Sequence, residues 1–373
     1  MAAVSGLSGN EIYCMALKNY RPGGLVVGNS VNALGFLGSL SAGFRGMVGG
    51  EVAEVTQAIE DGRLKAFERM VAEAQGAGAA GIAGVTGDLR ELQGNTEFLF
   101  VGSALHPLEA GAGSGFFSSA GSAQELYCHM DAGYQPLSHV FGNIAYQVGL
   151  GGGLSGALKT MVRGEIAEYS DIFNQTRHAA LNRIVAQAQA VGANAVVGIR
   201  TRIMFWHNTH EMVMTGTAAR HAALPAAAAQ QPVTSDLTGE ECWAMTKLGY
   251  APMKLLISAS IYSLGTVGGI KAAFKAFTKG EISDLTSLIH DAREVAIGRL
   301  KSEAEAMGAD DVVGVKVYIA EMSSLVEFLA VGTAVKRLPG MTTVSQALPV
   351  QAIVPDKDTW IDGTLGVVVE HPQ

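Results

Sequence analysis

Apolar residues near the C-terminal end of the chain fall into two kinds of pattern. In EISDLTSLIHDAREVAIGRLKSEAEAMGA, residues Ile282, Leu285, Leu288, Ile289, Ala292, Ala296 and Leu300 recur at helical spacing. That spacing predicts one long amphipathic helix, and Gly308 is placed to end it in a left-handed turn. KLLISASIYSLG, before the helix, is apolar and rich in β-branched residues; DDVVGVKVYIAE and SLVEFLAVGTAVKRL follow it. These three runs predict strands, and ECWAM predicts a further short strand in front. TVGGIKAAFKAFTKG, between the first strand and the helix, carries a weaker helical pattern. The unit is thus β-α-β-β, of the α+β class. VVGV and FLAVGTAV are almost continuously apolar, which implies burial on both sheet faces. One helix covers only one face, so such a unit needs a neighbour.

The neighbour is supplied by repetition. The phrases around Gly78, Gly192 and Gly308 align at offsets of 114 and 116 residues. The same offsets superpose Arg63, Arg177 and Arg293, then Gly84, Gly198 and Gly314, then Glu97, Glu211 and Glu327. Three copies of one domain follow: residues 10–106, 124–221 and 240–338. Residues 107–123 and 222–239 are rich in Gly, Ala, Ser and Pro and read as linkers. Residues 339–373 form a C-terminal tail without a counterpart, in which TLGVVVE predicts a short strand able to lie on a neighbour's sheet edge.

Composition narrows the function. The 373 residues are 48% hydrophobic and 16% charged, with a net charge of -8, which argues against a basic nucleic-acid surface. Three cysteines without a close pair do not make a disulfide framework. The N-terminus lacks the basic start and apolar run of a signal peptide, so a reducing cytoplasm is the expected location. No recurring Ser/His/Asp set, GxSxG elbow, Walker loop or HExxH motif is present, so the chain reads as non-enzymatic. GLGGGLSGALKT lacks phosphate-loop spacing. The small-residue segments GFLGSLSAGFRGMVGG, GLGGGLSGALKTMVRG and GTVGGIKAAFKAFTKG approach the length of a membrane span, but Arg45, Lys159, Lys271 and Lys275 interrupt them.

The Ala-Arg pair in the helix, then Gly-Ala-Asp/Asn, Val-Val-Gly-Val/Ile and a closing Gly-Thr-Ala-Val resemble the YbjQ-like family, small proteins labelled heavy-metal-binding. The third copy carries the pattern best, through Arg293, Gly308, Ala309, Asp310, Val312, Val313, Gly314, Gly332 and Thr333. The first departs from it, with GAAGIAGV and Ser103. The resemblance implies a dodecin-subunit-like fold and pentameric rings. Three domains per chain do not divide into five, so the expected solution is five chains making three stacked rings, with the linkers stepping between them.

The family label directs attention to metal ligands, for a divalent or heavy-metal ion. Cys14 and Cys128 are repeat-equivalent, with Ala244 at that place in the third copy and Cys242 two residues earlier. A ring could bring such thiols together, although a lone Cys is otherwise a small buried hydrophobe. WHNTHE supplies His207, His210 and Glu211 in the second copy alone. Acids recur at the predicted helix start, as Glu51, Glu165 and Glu281 and then Glu54, Glu168 and Asp284. They suit the helix dipole and could also form a cation-attracting annulus in a ring. Arg63, Arg177 and Arg293 are expected to pair with Glu97, Glu211 and Glu327 between subunits, since a guanidinium binds a carboxylate bidentately. The chain itself is therefore the expected partner.

Overall fold

The computed structural model describes residues 4–33, 50–92, 95–109, 115–147, 164–206, 209–263, 283–322 and 325–349. The first two small-residue segments short of their last glycines, Gly50 and Gly164, the whole of the third, His207 and the TLGVVVE run lie outside them.

Each repeat opens on a short helix: α1 (Gly9–Ala16), α3 (Ala123–Asp131) and α5 (Gly239–Lys247). ECWAM is thus helical and not a strand. The cause is a capping box, in which a Ser or Thr accepts from the backbone three residues on and a Glu there reaches back. Ser8 with Glu11, Ser122 with Glu125 and Thr238 with Glu241 make it in turn.

Then come a long strand, a long helix and a hairpin. In the first repeat these are β1 (Tyr20–Ala33), α2 (Ala53–Gly76), β3 (Gly81–Leu92) and β4 (Asn95–Pro107). In the second they are β6 (Gln135–Gln147), α4 (Ala167–Ala190), β8 (Ala195–Trp206) and β9 (Thr209–Arg220). In the third they are β11 (Tyr250–Ser263), α6 (Ser283–Ala306), β12 (Asp311–Met322) and β13 (Leu325–Arg337). The last-formed strand lies in the middle, antiparallel to both of its partners. Gly78, Gly192 and Gly308 leave the long helices at φ of 72°, 71° and 69°, the left-handed conformation that glycine adopts without strain.

Four two-residue strands complete the sheets, and they decide how the repeats sit. β2 (Gly50–Glu51) precedes α2 but pairs with β6 of the second repeat. β7 (Gly164–Glu165) precedes α4 but pairs with β11 of the third. β5 (Phe117–Ser118) and β10 (Val233–Thr234), from the segments that read as linkers, add parallel edges to β3 and β8. Consecutive repeats therefore stand side by side, joined through sheet and helix. The described linker residues lie against the repeats, Phe117–Ser118 on β3 and Val233–Thr234 on β8. A stacked arrangement with one repeat of each chain per ring is not how these repeats are joined.

Candidate functional site

The buried polar chemistry of the chain concentrates at the two seams. At the first, the outward face of β6 packs under α2 of the preceding repeat. Val52 N donates to Ala145 O at 2.8 Å, Ala145 N to Thr56 Oγ1 at 2.9 Å, and Asn143 Nδ2 to Thr56 O at 3.2 Å. At the second, Ile166 N donates to Ile261 O at 2.7 Å and Ile261 N to Ser170 Oγ at 2.9 Å. Asn174 exchanges two bonds with Ala259 there. One helix position thus reaches the same strand position twice, as Thr56 and as Ser170. The repetition means that one geometric relation carries repeat one to two and two to three.

The recurring arginines meet the recurring glutamates in these seams. Arg63 binds Glu211 through both guanidinium ends, with Nη2 at 3.1 Å from Oε2. Arg177 Nη2 lies 2.7 and 2.9 Å from the two oxygens of Glu327. All four side chains are buried. The Arg177 guanidinium also stacks over Tyr146, 5.0 Å from its ring centre. An apolar seam makes an unpaired charge expensive, so each partner requires the other. Arg293 and Glu97 are not brought together. Arg293 Nε stands 3.8 Å from Glu294, and Glu97 accepts from Asn29 Nδ2 at 3.3 Å.

The acids expected at the helix start do something else. Glu51 and Glu165 sit in β2 and β7, ahead of helices that begin at Ala53 and Ala167. They pair across the seams, Glu51 with Arg183 at 2.5 Å and Glu165 with Arg299 at 2.8 Å. Glu281 lies outside the described residues.

The candidate metal ligands are dispersed. Cys14 and Cys128 share one apolar cluster and Cys242 lies in another, all buried and none in a disulfide. Burial pushes the Cys242 thiol up to about 12; burial, then Glu11 and Glu240, raise Cys14. Metal-binding thiolates need the opposite shift. Glu211 is engaged by Arg63. His210 packs edge-on against Tyr146 at 5.3 Å, and burial, then the charge of Arg177, lowers its pKa to about 4. Among the described residues no group of three or more His, Cys, Asp or Glu could hold a metal ion. None of the described helices is long and apolar enough to cross a membrane.

Two sets of seam residues escape the sequence reading. Ser119 Oγ lies 3.2 Å from Thr217 Oγ1, and Ser235 Oγ lies 3.3 Å from Thr333 Oγ1, each tying a linker to the repeat that follows. Their signal was available, since VSGLSGNE, SSAGSAQE and TSDLTGEE align at the repeat offsets. The second set surrounds Asp131, a buried carboxylate that accepts from Lys18 Nζ and Trp243 Nε1, each at 2.7 Å, and from Ser345 N and Oγ at 3.0 and 2.8 Å. Repetition could not flag Asp131, because Leu17 and Lys247 hold its place in the other repeats.

Fold and seams define a tandem array of α+β domains, joined head to tail by helix-on-sheet contacts. Three matches to one family model, described as "Putative heavy-metal-binding", cover residues 13–106, 133–222 and 251–337. The chain belongs to this YbjQ family. It is 29% identical over 241 residues to the encapsulin nanocompartment protein Rv1762c of Mycobacterium tuberculosis, covering 61% of this chain and 89% of that protein. It is 42% identical over 83 residues to a UPF0145 protein of Pseudothermotoga lettingae, covering 22% of this chain and 78% of that one. A UPF0145 protein of Fervidobacterium nodosum is 41% identical over 83 residues, again 22% of this chain and 77% of its own.

Proposed function

We propose that this chain is a non-enzymatic structural protein whose work is self-assembly into a ring or scaffold. The observation that carries the reading is the use of the buried charge. Both buried Arg–Glu pairs at the seams, Arg63–Glu211 and Arg177–Glu327, join one repeat to the next. An enzyme instead keeps perturbed acids, bases or nucleophiles facing a cleft. The similarity to a protein named for an encapsulin nanocompartment supports an assembly role. The three buried thiols, with burial raising those of Cys14 and Cys242, favour a scaffold without a metal of its own over a metal-binding ring.

Native mass spectrometry of untagged protein, purified without chelator, tests this. Expected are masses at whole multiples of 38.8 kDa without metal-sized increments. A monomer at every concentration overturns the assembly reading. A stoichiometric metal increment overturns the ligand-free one.

A further inference from the structure

The two seams leave their halves open at the ends of the chain. On the strand side, the outward positions of β6 and β11 are covered: Phe141, Ala145, Ile257 and Ile261 are at most 2% exposed. Their counterparts on β1, Val27 and Val31, are 40% and 49% exposed, and Leu25 beside them is 47% exposed. A row of apolar side chains that is core in two repeats faces water in the first.

The helix side is open at the other end. Thr56 and Arg63, then Ser170 and Arg177, are buried, whereas the corresponding Thr286 and Arg293 of α6 are exposed. The strand next to it is bare as well. Val315 of β12 is 44% exposed, against 2% for Val85 and 3% for Ile199 at the same repeat position. β3 and β8 each carry a parallel two-residue edge strand, whereas β12 is an outer strand of its sheet among the described residues. Val4, which stands where Ser118 and Thr234 make those edge strands, is 82% exposed.

We infer that the third repeat of one chain docks on the first repeat of a second copy through this same seam, with Arg293 pairing with Glu97 of the partner copy. This rests on the assembly reading and gives it an address. Continuity carries the argument: the geometry that joins repeat one to two and two to three has an exposed helix face at one end and an exposed strand face at the other. The faces are complementary in charge and in their apolar rows, and a repeated head-to-tail contact closes into a ring when its rotation allows. A ring built of whole chains then holds repeats in multiples of three, so a ring of five repeats cannot form this way.

The test uses the full chain. Arg293→Glu and Glu97→Arg are each expected to cause loss of the multi-chain species on native mass spectrometry. Both positions lie away from the seams of the isolated chain, so each variant should melt as wild type does. Mixing the two should restore assembly, because the altered faces then oppose complementary charges. A geometric readout accompanies it. Chains carrying Thr286→Cys and chains carrying Val31→Cys, mixed under mild oxidation, should form disulfide-linked pairs, and neither should alone. Thr56→Cys with Ala145→Cys, within one chain, is the positive control. Multi-chain species that survive both charge variants, with no cross-link on mixing, overturn this docking and leave the assembly reading standing. Cross-linked pairs from Thr286→Cys chains alone also overturn it, by showing like faces in contact. A wild-type monomer overturns both.

Discussion

At the scale of single residues, the second repeat holds side chains that its neighbours replace with aliphatics. His139 stands where Leu25 and Leu255 stand in the other copies. Its ring is 2% exposed and packs among Phe67, Phe100 and Phe141 at 5.5, 5.6 and 6.3 Å. Neither ring nitrogen has a hydrogen-bond partner, and burial lowers its pKa to about 3. An unfolded chain titrates this ring near 6.5. Between those values the unfolded state binds more protons than the folded one, so stability falls as pH falls. From pH 7 to pH 5 the loss from this ring is about 2 kcal/mol. His129, lowered to about 4 by burial, adds to it in the same direction. His139→Leu, the residue its sister repeats use, should keep stability at pH 7 and give a shallower decline of the urea midpoint between pH 7 and pH 5. An unchanged slope would mean that the ring is not buried in its neutral form.

At the scale of elements, the seam contact between α4 and β13 depends on one ion pair more than on any other polar contact. Arg177 and Glu327 are 0% and 2% exposed, so Arg177→Ala leaves a carboxylate in an apolar seam. Removing one partner of such a pair costs about 3–5 kcal/mol. Arg293→Ala, at a 48% exposed side chain, should change the stability of the isolated chain by less than about 1 kcal/mol. Urea unfolding of both variants, at concentrations where the chain is monomeric, compares them directly; equal losses would contradict the asymmetry of the ends. The sequence was informative about these elements where a pattern recurs. Long helices, hairpins and the left-handed glycines follow from periodicity and from offsets of 114 and 116. The opening helices run against local composition, since Cys242, Trp243 and Met245 suit a strand, while the capping box that overrides them begins four residues before Cys242, at Thr238. The candidate site was legible only as residue types. Arg63, Arg177, Glu211 and Glu327 recur, but repetition cannot say that β2 and β7 pair with the following repeat.

At the scale of the whole molecule, the three repeats are not equivalent, and Asp131 marks the difference. It closes α3 of the second repeat, yet it binds Lys18 of the first, Trp243 of the third and Ser345 of the tail. Val344 N also donates to its backbone oxygen at 2.8 Å. Burial would raise this carboxyl's pKa, but the donors of Lys18, Trp243 and Ser345 outweigh burial and hold it below the usual carboxylate range. The stability it supplies is therefore present above the unfolded pKa and is lost as pH falls through the folded one. Because one side chain gathers four segments, its removal should act on the arrangement of the chain and not on one repeat alone. Asp131→Ala should destabilise the chain by about 3 kcal/mol, the cost of leaving a partly buried ammonium without its carboxylate. It should also release the tail. Limited proteolysis, read by intact mass, should then cut between residues 339 and 349 in the variant while wild type resists. Amide exchange at Val344 and Ser345 should accelerate in step, since both amides lose their acceptors or their anchoring. If the tail stays protected in Asp131→Ala, packing of Leu348 in the cluster that holds Cys14 and Cys128 is enough to fix it, and Asp131 serves the repeats without serving the tail.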